Sequence, residues 1–108
     1  MITTVRECIE SCYTCAAACD YCASSCLNEP DIDMMRNCIK IDIECAAICR
    51  LAAKLMSLDS EYHKQQCRLC ADICRACAEE CSRHKHEHCK KCAEACRRCA
   101  DSCLRMLA

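Results

Sequence analysis

The sequence predicts an all-α fold, an antiparallel up-down-up-down four-helix bundle with a cysteine-lined core, and three observations carry that prediction. The 108 residues include no glycine and one proline, which leaves almost no turn-forming residues and favours helices with few connections. Nineteen cysteines fall largely in runs stepped by three and four, the spacing of one helix face. Brief polar breaks separate the runs, and short links between helices of roughly 20 to 25 residues favour antiparallel neighbours.

The first helix is expected over residues 4–27. Cys8, Cys12, Cys15, Cys19, Cys22 and Cys26 form its stripe, and Thr4 with Glu7 offers a capping box at its start. Asn28-Glu29-Pro30-Asp31 can stop that helix and begin the next, expected over 31–56. This second segment is cysteine-poor, with Cys38, Cys45 and Cys49 spaced by seven and four. Residues Ser57 to Ser60 offer N-caps for a third helix over 60–83, carrying Cys67, Cys70, Cys74, Cys77 and Cys81. A last break near Ser82 to His88 precedes a fourth helix over 87–106, with Cys89, Cys92, Cys96, Cys99 and Cys103. The four helices read as a single domain spanning 1–108.

Three of the segments are related in sequence. CYTCAAACDYCASSC from Cys12, CRLCADICRACAEEC from Cys67 and CKKCAEACRRCADSC from Cys89 all fit CxxCAxxCxxCxxxC, an internal repeat. The cysteines take the a and d positions of the bundle seam. At 1.5 Å per residue, Cys67 to Cys81 alone makes a sulfur column about 21 Å long.

Composition explains why such a column matters. Hydrophobic content of 54% overstates the ordinary core, because Leu, Ile and Val together supply only 16 residues and Phe and Trp none. A chain this short is marginal on apolar burial alone unless something else holds its interior. Basic and acidic residues, 15 and 16, are intermixed and the aromatics are three tyrosines, which excludes a nucleic-acid footprint. No apolar run approaches membrane-spanning length, and residues 1–10 lack a basic region followed by an apolar stretch, so a soluble, cytoplasmic protein is expected. Dense cysteine usually marks a secreted disulfide scaffold. The odd count and the missing signal argue instead for free thiols in a reducing compartment, and hence for metal binding.

Residues three or four apart on a helix have Cβ atoms about 5 to 6 Å apart, so adjacent thiolates can close on one ion. Soft thiolates suit Cu(I), zinc or iron–sulfur clusters alike. Charge separates the first two. One Cu(I) per thiolate neutralises the core, whereas about five Zn²⁺ ions with four sulfurs each leave roughly nine buried negative charges. Iron–sulfur sites present cysteines from loops around one cluster rather than as sustained stripes. Protonated cysteine is itself a small buried hydrophobe, so the bundle can fold empty and exchange protons for metal. Many Cu(I) ions per chain, held on all nineteen cysteines, is therefore the leading expectation. The alternative is a zinc or general heavy-metal buffer of metallothionein type.

An enzyme is not expected. A carboxylate-bridged diiron bundle needs paired ExxH motifs, and none occurs here. Thiol oxidoreductases use one exposed low-pKa CxxC pair rather than columns, and a disulfide-stapled helical protein would leave at least one of the nineteen unpaired.

The three repeated stripes, the sparse second segment and the short His-bearing link before Cys89 together resemble the bacterial copper storage proteins, in particular their cytosolic branch, over essentially the whole chain. The resemblance implies Cu(I) storage on the core cysteines, from Cys8 through Cys103, and assembly as a homotetramer. Copper ions, further copies of the chain and a copper chaperone are then the expected partners, with no nucleic acid and no membrane.

Other candidate ligands lie at the bundle ends. His63, four before Cys67, and His84, three after Cys81, extend the third stripe and either cap the sulfur column or sit as solvated helix-end residues. His84, His86 and His88 alternate in the manner of metal-capturing tracts, with His86 off register. An antiparallel bundle gathers Cys26, Met34, Met35, Cys38, Cys81, His84 and Cys89 at one end, read as a copper entry port. The other end gathers Cys8, His63, Cys67 and Cys103 with Ala52, Leu55, Met56 and Met106, and reads as closed. Methionine at seam positions is ordinarily gap-filling core, although a thioether also suits Cu(I). Ile32, Ile39, Ile43, Ala46 and Ala47 give the second helix another apolar face, either for self-association or as scattered surface aliphatics.

Overall fold

The structure, a computed structural model, describes residues 1–108. Four helices, α1 (Thr3–Cys26), α2 (Arg36–Ser57), α3 (His63–Ser82) and α4 (Glu87–Arg105), follow one another, with a short 3₁₀ turn at Ile32–Met35 leading into α2. Each packs on its neighbours around a ring in chain order, α1 on α2, α2 on α3, α3 on α4 and α4 on α1. Contacts such as Cys8 with Cys103 and Cys22 with Cys89 run α1 against α4 in opposite directions, as Cys38 with Cys81 and Cys49 with Cys70 do for α2 and α3. The result is the expected antiparallel bundle, a rod of 44 × 17 × 17 Å.

The rod is slender because of what fills it. Every cysteine is fully buried, and the rest of the apolar core is alanine with Met35 and Met56; no leucine, isoleucine or valine is fully buried. Alanine is the shared small residue of the CxxCA repeat, and Ala16, Ala71 and Ala93 all lie in the core, where a side chain of one methyl group lets helices approach closely. Val5, Ile9, Ile39, Ile41, Ile48, Ile73 and Leu104 pack around the core as a partly buried apolar sheath. Ala46 is part of the core and Ile39 part of that sheath, so the outward face of α2 reduces to Ile43, Ala47 and Leu51.

The helix ends differ from the sequence expectation. No helix carries a side-chain N-cap: α1 begins at Thr3 after Ile2, which places Thr4 inside the first turn rather than at the cap. Packing of the seam, not capping, fixes these starts. Ser57 Oγ donates to the Ala53 carbonyl, and Ser60 Oγ accepts the Tyr62 amide, so neither caps α3, which starts at His63. With no glycine available, Asp59 (φ 52°) takes the left-handed position that ends α2. The amides of Asp59 and Ser60 then return to the carbonyls of Met56 and Leu55, a Schellman closure.

Candidate metal centre

Because the stripes of all four helices face one axis, their sulfurs form one continuous lattice. Neighbouring Sγ atoms on different helices lie 3.6 Å apart for Cys15 and Cys96, Cys38 and Cys81, and Cys49 and Cys70, and 3.7 Å apart for Cys19 and Cys92, and Cys12 and Cys99. Within a helix, i,i+4 pairs such as Cys45 and Cys49 are 3.9 Å apart. At metal–sulfur bonds of about 2.3 Å, trigonal or tetrahedral geometry separates two sulfurs by about 3.8 to 4.0 Å. The thiols are thus already spaced to share ions. Four-sulfur groups whose ligand atoms lie within 4.8 Å of one another repeat along the axis: Cys12, Cys70, Cys99 and Cys103; Cys15, Cys49, Cys74 and Cys99; Cys15, Cys19, Cys45 and Cys96; Cys19, Cys77, Cys92 and Cys96; Cys22, Cys26, Cys38 and Cys89. Members recur from one group to the next, so ions bound in adjacent groups would share sulfurs.

Burial governs the protons on this lattice. Loss of solvent pushes the Cys89 thiol up to about 12 and raises that of Cys26 further, because a lone thiolate in this interior has no cation beside it. Burial therefore favours the protonated form of these two thiols in the empty protein, and an ion bound there would displace their protons.

One core residue escaped the reading of the sequence. Asp42 is fully buried among the thiols; Cys77, Cys92 and Cys81 donate to its Oδ1 at 3.2, 3.3 and 3.5 Å, and Cys38 to Oδ2 at 3.8 Å. Burial, reinforced by the surrounding sulfurs of Cys92, Cys77 and Cys38, pushes its carboxyl up to about 11, so in the empty protein it is a neutral acid. A signal was present: Cys38, Asp42, Cys45 and Cys49 step by four, three and four, so Asp42 fills the gap that makes α2 look cysteine-poor.

At the end where α1 leaves and α4 begins, His88 is the histidine on the sulfur column. Its Nδ1 lies 3.4 Å from Cys22 Sγ, 3.6 Å from Cys89 Sγ and 3.9 Å from Cys26 Sγ, while Nε2 meets Glu29 Oε2 at 2.7 Å. His84 instead turns to Glu80 Oε2 at 2.8 Å, and His63 Nδ1 sits 2.7 Å from the Ser60 carbonyl. Stripe register pointed to those two, but helix-end side chains follow the loop geometry. Met35 is buried at this end and Met34 is 71% exposed. At the far end Cys8 and Cys103 are 3.7 Å apart, with Ala52 and Met56 buried in α2's last turns.

The sequence matches the family model of the copper storage proteins, Csp, over residues 1–108. The chain belongs to the copper storage protein family. The Cu(I)-bound copper storage protein BsCsp3 superposes with a TM-score of 0.94 at 47% identity, over 98% of this chain and 100% of that one. A cytosolic copper storage protein from Streptomyces lividans, loaded with five coppers, superposes with a TM-score of 0.93 at 41% identity, over 96% of this chain and 92% of that one. The uncharacterised cysteine-rich protein YhjQ of Bacillus subtilis (strain 168) is 50% identical over 82 residues, 76% of each chain. For a copper storage protein the unusual core has a direct rationale: the space that aliphatic side chains occupy in other bundles is given over to thiols.

Proposed function

We infer that this chain stores Cu(I) by thiolate ligation along the whole bundle axis, with all nineteen cysteines as ligands and about one copper per sulfur. The observation that carries the reading is the unbroken lattice: nineteen buried free thiols whose neighbours lie at the spacing of shared ions. Cu(I) matches it in charge, since each monovalent ion replaces one thiol proton and leaves the core neutral. A repeated lattice of this kind provides capacity, and we assign it no turnover. Asp42 supplies the one oxygen donor inside the lattice, beside Cys77 and Cys92.

Copper enters, in this reading, at the end carrying His88. That ring is 12% exposed at its side chain and touches three thiols, so one group spans solvent and sulfur. The exposed run of Ile43, Ala47 and Leu51 on α2 supports homotetramer assembly through that helix. We place the protein in the cytosol, with a copper chaperone as donor: no helix is long and apolar enough to cross a membrane, and the relative from Streptomyces lividans is a cytosolic copper storage protein.

Anaerobic titration of the reduced, metal-free protein with Cu(I) against a competing chelator tests the reading. Uptake near one Cu(I) per cysteine, with helicity by circular dichroism already present in the empty form, is expected. Uptake of a few ions only, or filling by Zn²⁺ in the same measurement, would overturn it.

A further inference from the structure

The mouth of the bundle holds a second set of donors that the thiol lattice does not use. His86 immediately precedes α4 in an extended conformation (ψ 141°) and His88 follows in the first turn. Their rings stack, with centroids 5.4 Å apart and planes inclined by 4°. Glu29, from the α1–α2 link, reaches both: its Oε2 lies 2.7 Å from His88 Nε2 and 3.3 Å from His86 Nδ1. Asp31 meets the opposite nitrogen of His86, Nε2, at 3.2 Å. A hollow of about 550 Å³ opens beside them, bounded by Glu29, Asp31, Met34, Lys85 and His86.

We propose that Glu29, His86 and His88 form a separate site for a divalent, borderline-soft cation of the Zn²⁺ class, oriented by Asp31. Two imidazoles and a carboxylate with an open fourth position for water are a zinc-type donor set, unlike the all-sulfur sets of the core. Asp31 on the far nitrogen of His86 fixes that ring's tautomer, as carboxylates do behind metal-bound histidines. The charges agree as well: two carboxylates and two neutral rings balance a dication, with Lys85 on the rim as the one opposing charge. Hard cations such as Mg²⁺ are disfavoured by the two nitrogen donors. The site acts on the store through His88. An ion held on Nε2 leaves the proton on Nδ1, facing Cys22 and Cys89, and so withdraws that nitrogen from passing copper. Zn²⁺ at the mouth therefore slows copper movement in both directions without displacing any of it.

The test uses the protein filled with Cu(I), so that its thiolates are already engaged, and then titrated with Zn²⁺ against a chelating dye under anaerobic conditions. One Zn²⁺ per chain is expected, with X-ray absorption at the zinc edge showing nitrogen and oxygen neighbours only. Glu29→Gln and His86→Ala each weaken it by at least about tenfold, while copper content and helicity stay unchanged. His63→Ala, at the other end, has no effect. No retained zinc, zinc with sulfur neighbours, or zinc binding that survives both mouth substitutions would overturn the proposal. Copper content is read first on the same sample, so a shortfall there counts against the storage reading alone.

Discussion

Replacing Asp42 by asparagine should stabilise the empty protein, by an amount that grows with pH. In the folded state the carboxyl holds its proton up to about pH 11, against an ordinary value of 3.8, chiefly because burial among thiols penalises the anion. Between those values the folded chain therefore carries one more proton than the unfolded chain. Its stability falls as pH rises, by about 1.4 kcal/mol per unit from this group. The contribution is fully present below pH 3.8, and by pH 7 on the order of 4 kcal/mol has been lost. Asparagine has nearly the same shape, never ionises, and keeps an oxygen for the thiols of Cys77 and Cys92. Urea unfolding of reduced, metal-free wild type and Asp42→Asn, followed by circular dichroism from pH 5 to 8, should show the variant's advantage widening at roughly 1.4 kcal/mol per unit. A difference independent of pH would refute the argument, since it would mean that Asp42 is ionised in the folded core or that the variant acts through packing alone.

Cys15 belongs to two of the four-sulfur groups, whereas Cys8 sits at the far end of the column from His88, so Cys15→Ser should cost more than one copper per chain and Cys8→Ser about one; metal analysis of saturated variants would show equal losses if the sites were independent. Burial raises Cys89 from 9.0 to about 12, so the stability this thiol contributes to the empty protein is complete below pH 9 and lost as pH climbs through that window. Thermal melts from pH 8 to 12 should therefore fall for the empty protein and stay level for the copper-filled one. Ile43, 57% exposed and the most exposed aliphatic of the apolar run on α2, is the place to test assembly. Ile43→Glu should yield monomers by light scattering with copper capacity intact, and an unchanged mass would move the interface elsewhere. His88→Ala should slow copper uptake from a chelator in stopped-flow measurements while leaving the final count of copper nearly unchanged.

Most of this architecture is legible along the chain because a helix converts spacing into direction. A cysteine every three or four residues leaves one possible face for the sulfurs, and three such stripes with almost no turn residues leave little but a bundle closed around them. Family, fold and the chemical character of the core follow from that local rule. Asp42 was nearly as legible: its position completes the stripe of α2, but an acid in a dry seam is unexpected until thiols from α3 and α4 are seen to surround it. The ends of the rod were not. His63 and His84 continue the stripe in register yet turn to the Ser60 carbonyl and to Glu80, while His88 meets the column because the link after α1 brings Glu29 against its outer nitrogen. Helix starts likewise depend on packing rather than on Thr4 or Ser60. Periodicity within a helix is set by the backbone and needs only the sequence. Which side chains meet where two links cross depends on the path of both loops and the rotation of both helices, and only the tertiary structure fixes those.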